Sequence, residues 1–108
     1  MISVVITKHN NEYIGFTLDG HAGYADFGKD IVCAAVSTLV INTINSIERF
    51  TDDAFSTEFH EERGFISTNF SETLSDKAKL LIDSMLLGLD EIQKQYGDEY
   101  ISLQYKEV

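Results

Sequence analysis

Hydrophobic and polar positions alternate from Ile2 to Lys8, with Ile2, Val4 and Ile6 on one side, and again from Tyr13 to Asp19, with Ile14, Phe16 and Leu18 on one side. A period of two is that of a half-buried strand. The polar link His9-Asn10-Asn11-Glu12 tolerates unusual backbone angles, which predicts an antiparallel hairpin with His9 solvated in the turn. From Asp30 the period lengthens to that of a helix spanning 31–50, with Asp30 as N-cap because its carboxylate can accept from the first backbone N–H groups. At about 100° per residue Cys33, Val36, Val40, Ile44 and Ile47 form one stripe, so Cys33 is expected to face inward, with Thr38, Asn42, Asn45 and Arg49 opposite. A second hairpin is predicted over 54–60 and 65–70, turning at Glu61-Glu62-Arg63-Gly64, with Phe55 and Phe59 on one face and Ile66 and Phe70 on one face. A second helix is predicted from Leu74 or Ser75 to Tyr96, with Ala78, Leu81, Ile82, Met85, Leu89 and Ile92 inward, Gly88 marking a close approach and Gly97 a stop. The last strand runs from Tyr100 to Tyr105 with Ile101 and Leu103 inward.

The order ββαββαβ, with hairpins at both strand pairs, gives an α+β class: a mainly antiparallel sheet with two helices packed on one face. At 108 residues the chain is read as one domain, 1–108. Eighteen acidic against eight basic side chains give a net charge of −10, which opposes direct nucleic-acid binding and would draw a cationic protein or peptide. One cysteine allows no internal disulfide, and no secretory leader pattern opens the chain, so a reducing cytoplasmic setting is expected. The longest unbroken apolar run, Ile31 to Val36, is six residues, and no membrane span is expected.

Chemistry concentrates in Gly20 to Ser37, which holds the single thiol, Cys33, and a histidine, His21, at the end of a predicted strand. A thiol in the first turn of a helix sits near unpaired N–H groups and the positive end of the helix dipole, conditions that can lower a thiol pKa from about 8.5 to about 3.5–7.5. The same N–H groups could serve as an oxyanion hole. His21 is the matching base, provided the fold returns it to within about 3 Å of Cys33. Gly23 and Gly28 lend the intervening loop freedom, and Tyr24 and Phe27 could close over a bound peptide. Asp30 either orients the histidine or only caps the helix; Ser37 lies one turn beyond Cys33. Against this stands the plain reading that Cys33 is a small buried hydrophobe, that Tyr24 and Phe27 pack on the surface and that His9 is solvated. One cysteine and three scattered histidines make no metal site, no cofactor is indicated, and a redox sensor would need a resolving thiol from elsewhere.

Gly20-His21-Ala22 followed by Gly28-Lys29-Asp30-Ile31-Val32-Cys33-Ala34-Ala35-Val36-Ser37 resembles the signature of the bacterial ribosomal-processing cysteine protease (Prp) family, and the length and element order are similar over the whole chain. The resemblance implies His21 and Cys33 as a catalytic dyad, with Gly20, Asp30 and Ser37 supporting it. It also implies a substrate loop from Ala22 to Lys29, including Ala22, Gly23, Tyr24, Phe27 and Gly28, that orders around peptide. The implied activity is removal of the N-terminal extension of a basic large-subunit ribosomal protein precursor by a homodimer. The competing class is a non-catalytic, acidic, ribosome-associated binding protein.

Overall fold

A computed structural model of the chain describes residues 1–20 and 30–108. Five strands and two helices follow in the order β1 (Ile2–His9), β2 (Glu12–Asp19), α1 (Ile31–Phe50), β3 (Phe55–His60), β4 (Phe65–Phe70), α2 (Asp76–Tyr96) and β5 (Ile101–Glu107). The sheet order is β3-β4-β2-β1-β5. Three pairings are antiparallel and one, β1 with β5, is parallel, so the α+β class stands, with a mixed, mainly antiparallel sheet. The parallel edge follows from the long α2 crossover, which returns the chain to the end of the sheet where β1 begins.

Alternation is obeyed where pairing is regular. Ile2, Val4 and Ile6 of β1, Phe16 and Leu18 of β2, Ile66 and Thr68 of β4 and Ile101 of β5 are all buried on one face. Ile14 departs from the expected parity: Thr7 pairs with Gly15 but Lys8 with Tyr13, so Ile14 is the extra residue of a bulge. Beyond the bulge Tyr13, not Ile14, packs against the core, with the Lys8 ammonium 5.1 Å from its ring centroid. The turn is tighter than expected, since Asn10 and Asn11 carry its positive φ angles and His9 is the last residue of β1, exposed, its Nδ1 2.8 Å from the Val108 carbonyl oxygen.

Both helices lay an apolar stripe on the sheet. On α1 the buried positions are Val32, Val36, Val40, Thr43 and Ile47, a stripe turned away from Cys33 and Ile44, which are only partly buried. Thr43 can replace Ile44 inside because its hydroxyl donates to the Leu39 carbonyl at 2.8 Å and leaves no polar group unpaired. On α2 Ala78, Ile82, Met85, Leu86 and Leu89 are buried, while Leu81 and Ile92 pack at the margin. The helices meet where Gly88 faces Leu39; a Cβ there would lie 2.6 Å from Leu39 Cδ2, which accounts for a glycine in the middle of a helix. Helix α2 ends on Gly97 at φ 109°, as expected of a glycine stop. By length and composition alone α1 could cross a bilayer, yet its stripe is folded onto the sheet.

Candidate functional site

Topology brings one set of element ends together. β2 ends where β1 and β5 begin, because Leu18 pairs with Val4 and Ile2 with Ile101. β4 begins and β3 ends beside them, because Leu18 also pairs with Ile66 and Ile66 with Phe59. Helix α1 starts after the ten residues that follow Asp19 and Gly20 and runs away for about 30 Å, so its first turn, with Cys33, belongs to this end.

Gly20 is clamped here. Its N–H donates to the Gly64 carbonyl at 3.1 Å, its φ is 99°, and a Cβ would lie 2.7 Å from the Met1 carbonyl oxygen. A side chain at this position meets rigid backbone and a disfavoured φ together, so glycine is required one residue before His21. The adjoining turn is fixed by Arg63, which pairs with Asp19 at 3.2 Å and stacks over the Phe65 ring at 4.7 Å.

Asp30 caps α1 from a nearly buried position, 7% exposed. Its Oδ1 accepts from the Val32 N–H at 2.9 Å and the Cys33 N–H at 3.0 Å, and its carbonyl accepts from the Ala34 N–H at 3.1 Å. Of the first-turn amides expected to form an oxyanion hole, the Val32, Cys33 and Ala34 N–H groups already have acceptors inside the cap. The same bond ties the backbone of Cys33 to the cap, so Asp30 fixes the start of the turn that carries the thiol.

Cys33 is not fully inward. It is partly buried and packs against the core. Ser37 lies half-buried one turn further along α1. His21 and the loop residues Ala22, Gly23, Tyr24, Phe27 and Gly28 lie outside the described residues, as does the expectation that the loop closes over peptide. Among the described residues no group of three or more His, Cys, Asp or Glu side chains is placed to hold a metal ion.

Cross-strand rows show one feature that alternation alone did not reveal. On the helix-covered face Val4, Leu18, Ile66 and Phe59 lie side by side across four strands. The first three are 2%, 5% and 4% exposed, whereas Phe59, at the edge, is 52% exposed. Alternation had placed Phe59 on the same face as Phe55; the edge position of β3 leaves it uncovered.

The profile of the family described as Cysteine protease Prp matches residues 1–102. The ribosomal processing cysteine protease Prp of Staphylococcus aureus is 32% identical over 107 residues, covering 98% of this chain and 100% of the relative. The enzyme of that name from Bacillus subtilis is 31% identical over 103 residues, covering 91% and 92%. The crystal structure of the Staphylococcus aureus enzyme with a covalently linked product peptide superposes with a TM-score of 0.92 at 32% identity, over 98% of this chain and all of that one.

Proposed function

The chain belongs to the cysteine protease Prp family and is a cysteine endopeptidase, and from that premise we propose that it removes the N-terminal extension of a large-subunit ribosomal protein through a dyad of Cys33 and His21. The observation that carries the assignment is the placement of the chain's single thiol, partly buried, in the first turn of α1 at the end of the sheet where β2 stops two residues before His21. Cys33 Sγ attacks the scissile carbonyl carbon and forms a thioester as the C–N bond breaks. The His21 imidazolium gives its proton to the leaving amine, and the neutral ring then takes a proton from water as that water hydrolyses the thioester. Asp30 and Gly20 act on geometry, the first by holding the Cys33 amide, the second by fixing the strand end before His21. Ser37 is assigned to the same support.

The net charge of −10 suits a basic ribosomal protein precursor as substrate and a cytoplasmic setting in which that precursor is made. A homodimer without nucleic-acid or membrane contact completes the proposal, with the loop 22–29 as the substrate cover. The non-catalytic binding reading is set aside by the family assignment. Incubation with a precursor ribosomal protein and intact-mass analysis is the test. A single defined N-terminal loss, abolished in Cys33→Ala and in His21→Ala at unchanged melting temperature, is expected; turnover that persists in Cys33→Ala removes the thiol from the mechanism.

A further inference from the structure

On its β4 side the end of β2 is held beyond the regular ladder by two bonds, and both come from one turn. The β2–β4 ladder closes with Leu18 opposite Ile66. Past that pair, Asp19 bonds Arg63 at 3.2 Å and the Gly20 N–H donates to the Gly64 carbonyl at 3.1 Å. The turn that supplies these partners is itself fixed: the Gly64 N–H donates to the Glu61 carbonyl at 3.0 Å, and Gly64 takes the left-handed φ of 69° that closes it. Side chains alternate along a strand, so with Leu18 and Ile66 in the core, Asp19 and Phe65 project on the opposite face. There the Arg63 guanidinium lies 4.7 Å over the Phe65 ring while it pairs with Asp19, and the His60 ring meets Phe65 from the neighbouring strand at 5.7 Å. Both helices pack on the other face of the sheet, and Cys33 lies in the first turn of α1. Arg63 therefore acts on the thiol-bearing side only through the strand it holds.

We infer that Arg63 is a positioning residue for the reaction: with the Gly64 carbonyl it fixes where β2 ends, and thereby the point from which the chain runs on into His21. The inference rests on the protease reading and deepens it. A flat guanidinium suits this place because it lies on a ring and donates to a carboxylate at once, which an ammonium does less well. As a stabilising contact the pair counts for little, since its side chains are 63% and 41% exposed and such pairs add little to folding. Its effect is geometric. A displacement of about 1 Å in a reacting group can cost about 100-fold in rate, so a weak contact two residues before the base governs turnover with hardly any effect on the fold.

Cleavage of a precursor ribosomal protein is followed in Arg63→Ala, in Asp19→Asn, in the double variant and in Arg63→Lys. Arg63→Ala is expected to lower kcat about 10-fold with KM within about twofold of the parent, because the substrate itself loses no contact. Asp19→Asn should do the same, and the double variant should be no slower than either single one, since all three break one pair. Arg63→Lys keeps the charge and should bring kcat back to within about threefold of the parent. Lys94→Ala breaks a similarly exposed pair with Asp90 on α2 and should leave kcat and KM at the parent values. Melting temperatures are expected to stay within a few degrees of the parent throughout, and Asp19→Asn with Arg63→Lys carries the comparison if Arg63→Ala does not fold. An unchanged kcat in the folded single variants, a loss confined to KM, or additive losses in the double variant overturns the inference and leaves the protease reading intact. A folded parent that cleaves nothing overturns the protease reading, and the inference with it.

Discussion

The two helices begin in different ways, although each has an acceptor at its N-cap. Helix α2 is capped by Ser75, whose hydroxyl oxygen accepts from the Ala78 N–H at 3.2 Å while its own N–H and hydroxyl donate to the Asp53 carboxylate. Its first turn carries Asp76, and the whole arrangement is solvated. Helix α1 is capped by a single nearly buried carboxylate that accepts from two amides, and its first turn carries no charged side chain. Both devices satisfy the orphan amides that any helix start exposes. They differ in what is left available: at α2 the polar groups are consumed in joining the helix to the end of α1, whereas at α1 a thiol projects from a turn held from within. The difference teaches that a helix start can be made rigid by its own cap, leaving the side chains of the turn for chemistry.

Deleting the α1 cap should have the largest effect on the molecule. Asp30→Ala removes the acceptor for two amides in a buried setting and is expected to cost about 1–2 kcal/mol, a fall of about 4–16 °C in melting temperature for a domain of this size. Turnover should fall further than the loss of folded protein explains, because the Cys33 amide loses its anchor. Asp30→Asn keeps an oxygen in the accepting position and should restore both quantities to near the parent values. Calorimetry and kcat/KM on the same preparations decide the matter: an Asp30→Asn protein that melts normally but cleaves at about a hundredth of the parent rate would show that the charge of Asp30 matters for the reaction beyond capping.

At α2 the same operation should touch stability alone. Hydrogen bonds from Ser75 hold the Asp53 carboxyl below its ordinary range, with smaller help from Thr51. A carboxylate whose folded-state pKa is depressed contributes stability above its unfolded value, near 3.9, and loses it as pH falls through the lower folded value. Asp53→Asn should therefore flatten the acid limb of the stability curve below about pH 4, cost about 1 kcal/mol at neutral pH, and leave kcat/KM unchanged. A drop in kcat/KM in a fully folded Asp53→Asn protein would mean that the two helix starts are coupled.

Much of this contrast is visible in the sequence, and the hidden part has physical causes. Asp30 before an apolar run and Ser75 before Asp76 both read as helix starts, and Gly97 as a stop, because capping is local chemistry. Alternation placed every strand to within a residue or two. It misassigned Ile14, because a bulge shifts parity with no residue to announce it, and it set the α1 stripe on Ile44 where Thr43 is buried, because a threonine that bonds its own helix carbonyl behaves as an apolar residue. The thiol at a helix start was legible. That the Val32 and Cys33 amides already have an acceptor was not, since one carboxylate accepting twice is a matter of distances. The exposure of Phe59 depends on β3 being an edge, which is a property of strand order and not of the strand.

The smallest effect is expected where the helices meet the sheet. Helix α1 lies on it through Val32, Val36, Val40 and Ile47, whereas α2 adds polar moorings to the β1–β2 hairpin: the Lys79 ammonium donates to Glu12 Oε1 at 3.1 Å within an ion pair, and the Tyr13 hydroxyl donates to Asp83. Burial, reinforced by the hydrogen bond to Asp83 and by that group's negative charge, pushes the Tyr13 phenol well above its ordinary pKa near 10. Raising a folded-state pKa means that the native protein holds the proton more tightly than the unfolded chain. The associated stability is complete below about pH 10 and drains away as pH rises toward the folded value. Tyr13→Phe removes the hydroxyl and leaves Asp83 to water, at a cost of about 0.5–1.5 kcal/mol near neutrality. The variant should lose less stability than the parent between about pH 10 and 11, so that the two curves converge on the alkaline side. Urea titrations at pH 7 and at pH 10.5 measure this. Parallel curves across that range would show that the Tyr13 proton is held no more tightly in the folded protein than in the unfolded chain, and that the mooring of α2 is apolar like that of α1.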